Sequence, residues 1–390
     1  MAASSESPNH CVDPKAVGPK ARLVFSDGTQ FRGHAFGAVS STTIKTPAAG
    51  EVVFTTGMVG YPESMTDPSY RGQILVMTYP LVGNYGVRPR TTSTSRRAET
   101  LMEGFESERI QVSGLVVSTL SHDYSHWQAT NSLSQWLAEE GVLGICDIDT
   151  RALTQKLRHG GCQAGKIVID APDRAPSDDP DVGPFEDISL RNLVAEVSIR
   201  EPILYGDGAT RIVLVDCGAK QNIIRSLLAR GASVLRVPWD YDLARADGDA
   251  ILVSNGPGDP RRADATIAEL RRALNGDRPI FGICLGNQLV GRALGCETYK
   301  LAFGHRSQNQ PCREVGTQRC YITSQNHGYA LDVRTLPEDW QEWFVNANDG
   351  TNEGIRHRSR QIYTVQFHPE ATPGPRDTAF LFDRFLESVR

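Results

Sequence analysis

From Arg211 onward, buried-type strands alternate with amphipathic helices at a spacing that leaves few folds open. "RIVLVDCG" is a continuous apolar run of the kind a strand needs when both of its faces are covered. The helix expected after it carries Ile223, Ile224, Leu227 and Leu228 on one face and stops at Gly231. "SVLRVPW" and "AILVSN" give two further strands, and a helix after Pro260 places Ile267, Leu270 and Leu274 on one side. "PIFGIC" then runs a strand into another helix. Such βαβ units predict an α/β fold with a doubly wound, mostly parallel sheet. Ligands bind such sheets beyond the carboxyl ends of the strands, where Cys284 and "SNGPGDP" both fall.

The first half reads differently. "ARLVFSDGTQFRG" predicts a β-hairpin turning at Asp27-Gly28, and "GEVVFTTGM", "GQILVMTYP" and "IQVSGLVVSTL" are further β-like runs. One helix is expected from Asn131. A second follows Asp149-Thr150 with Leu153 and Leu157 on one face, and "KIVID" closes this half. The Pro- and Asp-crowded "APDRAPSDDPDVGPFED" predicts an exposed connection. The expected organisation is a disordered tail over 1–20, a β-rich α/β domain over 21–170, a connection over 171–209 and the doubly wound domain over 210–390.

At 390 residues, 39% hydrophobic and 22% charged, the chain has material for two cores. A net charge of -5 with no long basic run offers no footprint for nucleic acid or an anionic membrane surface. No apolar stretch is long enough to span a bilayer. The eight cysteines show no CxxC pair and no zinc-ligand spacing, so reduced thiols in a cytoplasmic protein are expected, with no bound metal.

Gly282-x-Cys284-x-Gly286 has the form of a nucleophile elbow, with cysteine where hydrolases more often carry serine. Small neighbours let backbone and substrate approach, and a helix N-terminus favours an anionic sulfur. The N–H of Leu285 would face the oxyanion of an attacked carbonyl. The bland alternative is a small buried cysteine whose glycines serve strand–helix packing. A nucleophilic thiol needs a base. "IYTVQFHPE" supplies His368 at a strand end, with Pro369 fixing the turn and Glu370 two residues on to orient the ring. His305, His327 and His357 are rival bases that spacing does not exclude. Gly256 and Gly258 in "SNGPGDP" make a stiff turn able to add a second oxyanion donor, and the same residues also read as an ordinary β-turn. "GGCQAGKI" fits the first seven positions of a P-loop, but Ile167 stands where Ser or Thr must bind magnesium. It also follows a helix and precedes a strand, the reverse of a P-loop's setting.

Together "FGICLGNQL", "SNGPGDP" and "QFHPE" resemble the class I, triad-type glutamine amidotransferases. "GEVVFTTGMVGYPESMTDPSYRGQILVMTYPLVGNYGV", "DIDTRALTQKLR", "SQNHGYA" and "NDGTNEGI" further resemble the small, glutamine-hydrolysing subunit of carbamoyl-phosphate synthetase, over about 22–386. The resemblance implies a triad of Cys284, His368 and Glu370, an oxyanion site at Leu285 and the Gly256–Gly258 turn, and glutamine-binding residues at Ser69, Gln288, Asn326, Gly328 and Tyr329. Without it, Ser69 is a turn residue of "DPSY". The implied activity is hydrolysis of glutamine through a cysteine thioester. The ammonia is delivered to a large synthetase subunit or domain, which makes carbamoyl phosphate. ATP, Mg²⁺ and bicarbonate would belong to that partner, and this chain would need no cofactor or metal. Asn287 departs from the commonest pattern, which has histidine there; an asparagine can hydrogen-bond and cap the helix start. The alternatives are another cysteine-triad amidotransferase, or a regulatory relative with impaired catalysis.

Overall fold

The computed structural model describes residues 18–40, 42, 48–92, 101–170 and 182–389, so most of the expected 1–20 tail lies outside the described residues. The first half closes into a seven-stranded barrel. The predicted hairpin is there: Lys20–Phe25 pairs antiparallel with Gln30–Gly37, and Gly28 takes the turn at φ +82°. Around the barrel the order continues through Leu143–Cys146, Gly114–Val116, Gln73–Met77, Ala49–Thr55 and Gln163–Ile169, which closes on the first strand. The helix Thr150–Gly160 buries Leu153 and Leu157 against this sheet, with Asp149 as its N-cap. The helix Leu133–Glu140 starts at a Ser132–Gln135 capping box and buries Trp136 and Leu137 in a second cluster.

Between the halves, residues 171–181 lie outside the described residues. From Ile188 the expected connection is already built structure: a 3-10 turn Ile188–Leu190, a short helix Leu193–Val197 and an edge strand Ile203–Tyr205. Val194 and Tyr205 sit in the apolar cores of the second half, so its packing begins before the periodic pattern does.

That second half is a ten-stranded α/β sheet. Its parallel part is five strands, in the order Ser233–Pro238, Arg211–Asp216, Ala250–Val253, Ile280–Ile283 and Ile362–Val365. The remaining strands pair antiparallel, among them a long hairpin of Glu297–Glu314 with Cys320–Asp332. Helices cover both faces. Ile223, Ile224 and Leu227 of Gln221–Leu228 join Leu381, Phe382 and Phe385 of Phe380–Glu387 on one side. Ile267 and Leu270 of Asp264–Ala273 join Leu289 and Val290 of Leu285–Ala293 on the other. Each such side chain fully buried contributes roughly 1.5–3 kcal/mol, which fixes the helices against the sheet and the sheet's carboxyl edge in space.

The halves pack closely. Leu101 of the first enters a core cluster of the second. The long hairpin crosses back onto the barrel, where Cys162 N–H donates to Ala302 O at 2.8 Å and Phe54 stacks on Phe303 with centroids 6.1 Å apart. No described helix is long and apolar enough to cross a membrane.

Candidate active site

Cys284 sits where the strand Ile280–Ile283 meets the helix Leu285–Ala293, at φ 55° and ψ -103°. A non-glycine residue there carries roughly 1–3 kcal/mol of strain, tolerated only when its surroundings enforce it. They do. Its N–H donates to Val365 O at 2.8 Å, tying the turn to the neighbouring parallel strand. A Cβ on Gly286 would lie 2.3 Å from Val253 O, and one on Gly282 would lie 2.8 Å from Gly286 O. Both elbow glycines are therefore required by close approach. The thiol is 2% exposed; Gln366 Nε2 lies 3.6 Å from Sγ, and Sγ lies 3.7 Å from Asn326 O.

His368 comes off the carboxyl end of the adjacent strand, and its backbone N–H is held by Ser324 O at 2.9 Å. Its Nδ1 meets Glu370 Oε1 at 2.6 Å, with both side chains buried. Nε2 is buried without a conventional hydrogen bond, and Cys284 is the neighbour that acts on it. Burial alone would depress the imidazole's pKa, but the Glu370 carboxylate and then Cys284 more than offset it and lift it to about 10. Burial works against the Glu370 charge in turn, yet Lys220 and His368 hold its pKa down to about 2. Lys220 Nζ lies 3.1 Å from Glu370 Oε1 and also donates to Ala371 O. The geometry thus joins Cys284, His368, Glu370 and Lys220 into one buried relay of charge.

The rival histidines are placed elsewhere. Arg356 pairs with Tyr363, so His357 lies toward the amino end of the strand that His368 follows, bound to Asp339 at 3.0 Å. His305 is held by Asp349 at 2.9 Å and Glu353 at 3.5 Å. His327 borders the cleft, but its ring faces Tyr329 O at 2.9 Å and Gln325 Oε1 at 3.3 Å rather than a carboxylate. His305, His327 and Glu353 offer ligand atoms within 4.8 Å of one another. The Asn346 amide fills the gap between two of them, 3.0 Å from Glu353 Oε1 and 3.5 Å from His305, while Glu353 Oε2 is left buried without a hydrogen bond.

A cleft opens over the elbow, lined by Cys284, Leu285, Gln288, Gly256 and Gly258, by Asn326, Gly328 and Tyr329 of the long hairpin, and by Ser69. Every expected glutamine-binding residue therefore borders one space. Leu285 is the first residue of its helix, so its N–H has no intrahelical acceptor. A Cβ on Gly256 would lie 2.0 Å from Cys217 O and 2.8 Å from Leu285 Cδ2, so that turn packs directly on the elbow. Gln288 Nε2 reaches Tyr329 O at 2.9 Å and Gln366 Oε1 at 3.1 Å. Ser69 is in the cleft wall as well as in a turn. Asn255 Nδ2 donates to its Oγ at 2.9 Å, and Asp67 Oδ2 accepts from Asn326 Nδ2 at 3.0 Å.

Asn287 does not cap the helix start, as its sequence position suggested. It is fully buried in the first turn, where Thr364 Oγ1 donates to its Oδ1 at 2.6 Å and its Nδ2 donates to Gln366 Oε1 at 3.1 Å. Through Gln366 it reaches the Cys284 sulfur from behind. The P-loop-like stretch is likewise structural: Lys166 Nζ donates to Val182 O at 2.6 Å and lies over the Phe185 ring. Asp67, Lys220, Asn255 and Gln366 were not singled out from the sequence, although each stands inside or beside a quoted motif.

A doubly wound sheet with a strained cysteine elbow at its carboxyl edge defines the class. Residues 213–388 match the family model for class-I glutamine amidotransferases. Residues 23–167 match that for the carbamoyl-phosphate synthase small chain, CPSase domain. The chain is 48% identical to the carbamoyl phosphate synthase arginine-specific small chain of Chaetomium globosum, over 96% of this chain and 79% of that one. It is 46% identical to the chain of the same name from Aspergillus clavatus, over 95% and 80%. The multifunctional protein pyrABCN of Emericella nidulans is 50% identical over 96% of this chain, which spans 17% of that much longer relative. This chain belongs to the carbamoyl-phosphate synthase small-chain family.

Proposed function

We propose that this chain is the glutaminase component of a carbamoyl-phosphate synthase. The observation that carries the reading is the Cys284 elbow beside the buried His368–Glu370 pair, 2.6 Å apart, at the floor of a cleft walled by both halves. The Cys284 sulfur attacks the side-chain amide carbon of glutamine, and the oxyanion meets the Leu285 N–H and the Gly256–Gly258 turn. His368 gives its proton to the departing nitrogen, so ammonia leaves and a thioester remains. The ring then takes a proton from water, whose oxygen attacks the thioester carbon and releases glutamate. Glu370 holds the imidazole in orientation and stabilises its cationic form. Ser69, Gln288, Asn326, Gly328 and Tyr329 hold the substrate.

These steps use only side chains and backbone groups of the chain, so the reading assigns it no cofactor or metal. ATP, Mg²⁺ and bicarbonate are reserved to a large synthetase subunit or domain that takes up the ammonia. The multifunctional name of the Emericella relative, of which this chain matches only 17%, supports such a partner. Cysteine usage supports a cytoplasmic setting.

The deciding experiment measures glutamate release from glutamine by the chain and by Cys284→Ser, alone and with a large synthetase subunit. Slow hydrolysis alone, faster hydrolysis with the partner and loss in the variant are expected. Activity unchanged in Cys284→Ser would overturn the mechanism.

A further inference from the structure

The relay behind the site does not end at Lys220. The helix Gln221–Leu228, which begins directly after that lysine, has no capping side chain of its own. Its first turn is capped from the other half of the chain. Glu106 O accepts from Gln221 N–H at 2.9 Å, and Glu106 Oε2 accepts from Asn222 N–H at 3.0 Å. The same carboxylate meets Arg225 Nη2 at 2.8 Å through its other oxygen. Asn222 then hands the contact on: its Nδ2 donates to Glu370 O at 2.5 Å and to Thr372 Oγ1 at 2.7 Å. Glu106 is fully buried, in a segment whose neighbour Leu101 packs into the second half's core.

We infer that Glu106 is a positioning residue for the hydrolysis proposed above, fixing Lys220 and the His368–Glu370 turn from the first half of the chain. The inference rests on that reading of Cys284. Its logic is electrostatic as well as geometric. With Glu106 ionised, the Lys220 charge is shared between two carboxylates, and Glu370 keeps enough negative field to hold His368 as a cation. With Glu106 neutral, Lys220 bears more fully on Glu370 and the imidazolium is less well supported. The other groups facing this chain of charges are Arg225 on the capped helix, Asp67 and Glu63 of the first half, which act on Lys220, and His327, which faces His368. Burial raises the Glu106 pKa to about 7, against the pull of Lys220 and Arg225. Glu106 therefore changes charge near neutral pH.

The test compares kcat/KM for glutamine in the intact chain and in Glu106→Gln from pH 6 to 9.5. Glutamine at 106 keeps an acceptor for Asn222 but no charge, so it resembles wild type with Glu106 protonated. The expected ratio of wild type to variant is within twofold at pH 6 and rises to about tenfold at pH 8.5, carried by kcat rather than KM. A loss independent of pH would mark a cap and nothing more, and no loss would remove the role altogether; either result overturns the inference. Arg225→Gln, with the lysine kept, raises the Glu106 pKa and should move the rise to higher pH; a profile superposing on wild type counts against it. Cys284→Ser, run beside them, separates failure of this inference from failure of the hydrolytic reading.

Discussion

Gly286→Ala tests whether the elbow's spacing, and not only its residue types, makes the site. An alanine Cβ there would stand 2.3 Å from Val253 O and 3.1 Å from Val253 Cβ. An ordinary C···O contact is about 3.3 Å, so the helix Leu285–Ala293 must lift off the strand Ala250–Val253 by about 1 Å. The neighbour is strand backbone in the middle of the sheet and has no freedom to yield. Overpacking of this kind costs about 1–3 kcal/mol, which in a domain of this size lowers the melting temperature by several degrees. The kinetic effect is expected to be larger. Cys284 and the Leu285 N–H ride on the displaced turn, and misplacement by about 1 Å can cost roughly a hundredfold in rate. Glutamine turnover should therefore fall by about two orders of magnitude while KM changes only a few-fold, because most of the cleft wall belongs to the long hairpin and the first half. Steady-state glutamate release, with calorimetry on the same samples, checks both halves of the claim. Gly276→Ala is the control, since its nearest neighbour would be Ala273 O at 3.5 Å, and it should leave both quantities unchanged. A Gly286→Ala chain with kcat within threefold of wild type would refute the argument from close approach.

Other perturbations separate the remaining parts. His368→Asn should slow thioester formation and breakdown alike, as read by single-turnover kinetics; a normal burst would return the base to His305 or His327. Ser69→Ala removes the cleft hydroxyl that Asn255 Nδ2 meets at 2.9 Å and should raise KM for glutamine several-fold with kcat nearly kept, because binding rather than bond-breaking is loosened. Glu370→Gln leaves Lys220 and His368 buried without their common carboxylate and should cost about 3–5 kcal/mol near neutral pH. The sign with pH follows from the carboxyl's pKa, about 2 in the folded chain against an ordinary 4.5 when unfolded. Wild type has this stabilisation in full above pH 4.5 and loses it toward pH 2, so the gap in melting temperature between the two chains should narrow on acidification. A gap constant from pH 7 to pH 3 would contradict that assignment.

How much of this was legible in the chain follows its physics. The parallel strands and their helices were, because continuous apolar runs and four-residue stripes such as Ile223, Ile224, Leu227 and Leu228 leave little choice of partner. Cys284, His368 and Glu370 were legible as local motifs, since an elbow and an X-Pro turn are made by neighbouring residues. The long antiparallel hairpin was not. "GHRSQNQP" and "SQNHGYA" are polar although largely buried, with no clean alternation to mark two strands that reach across the cleft. Edge strand Ile203–Tyr205 lay hidden in a stretch that begins rich in Pro and Asp. Lys220 and Glu106 were invisible for a different reason: 114 positions apart in sequence, they become a charge pair only when the halves dock.

That docking explains why the first half is more than an attachment. The proposed nucleophile, base and orienting carboxylate all belong to the second half, yet three of their supports cross the junction. Ser69 and Asp67 complete the cleft wall through Asn255 and Asn326. The barrel meets the hairpin at Ala302 and Phe303, on the same strand that carries His305 and Arg306. Glu106 caps the helix behind Lys220. A buried carboxylate with its pKa near neutrality is a costly way to cap a helix, since a serine or asparagine at the helix's own N-cap would serve with no charge to desolvate. What the costlier arrangement adds, on the inference drawn above, is dependence: the field around Lys220, and through it the support of the His368 cation, includes a carboxylate from the other half. If that inference holds, a substitution that moves Glu106 off the Asn222 N–H should change the pH profile of glutamine turnover without altering any residue of the cleft.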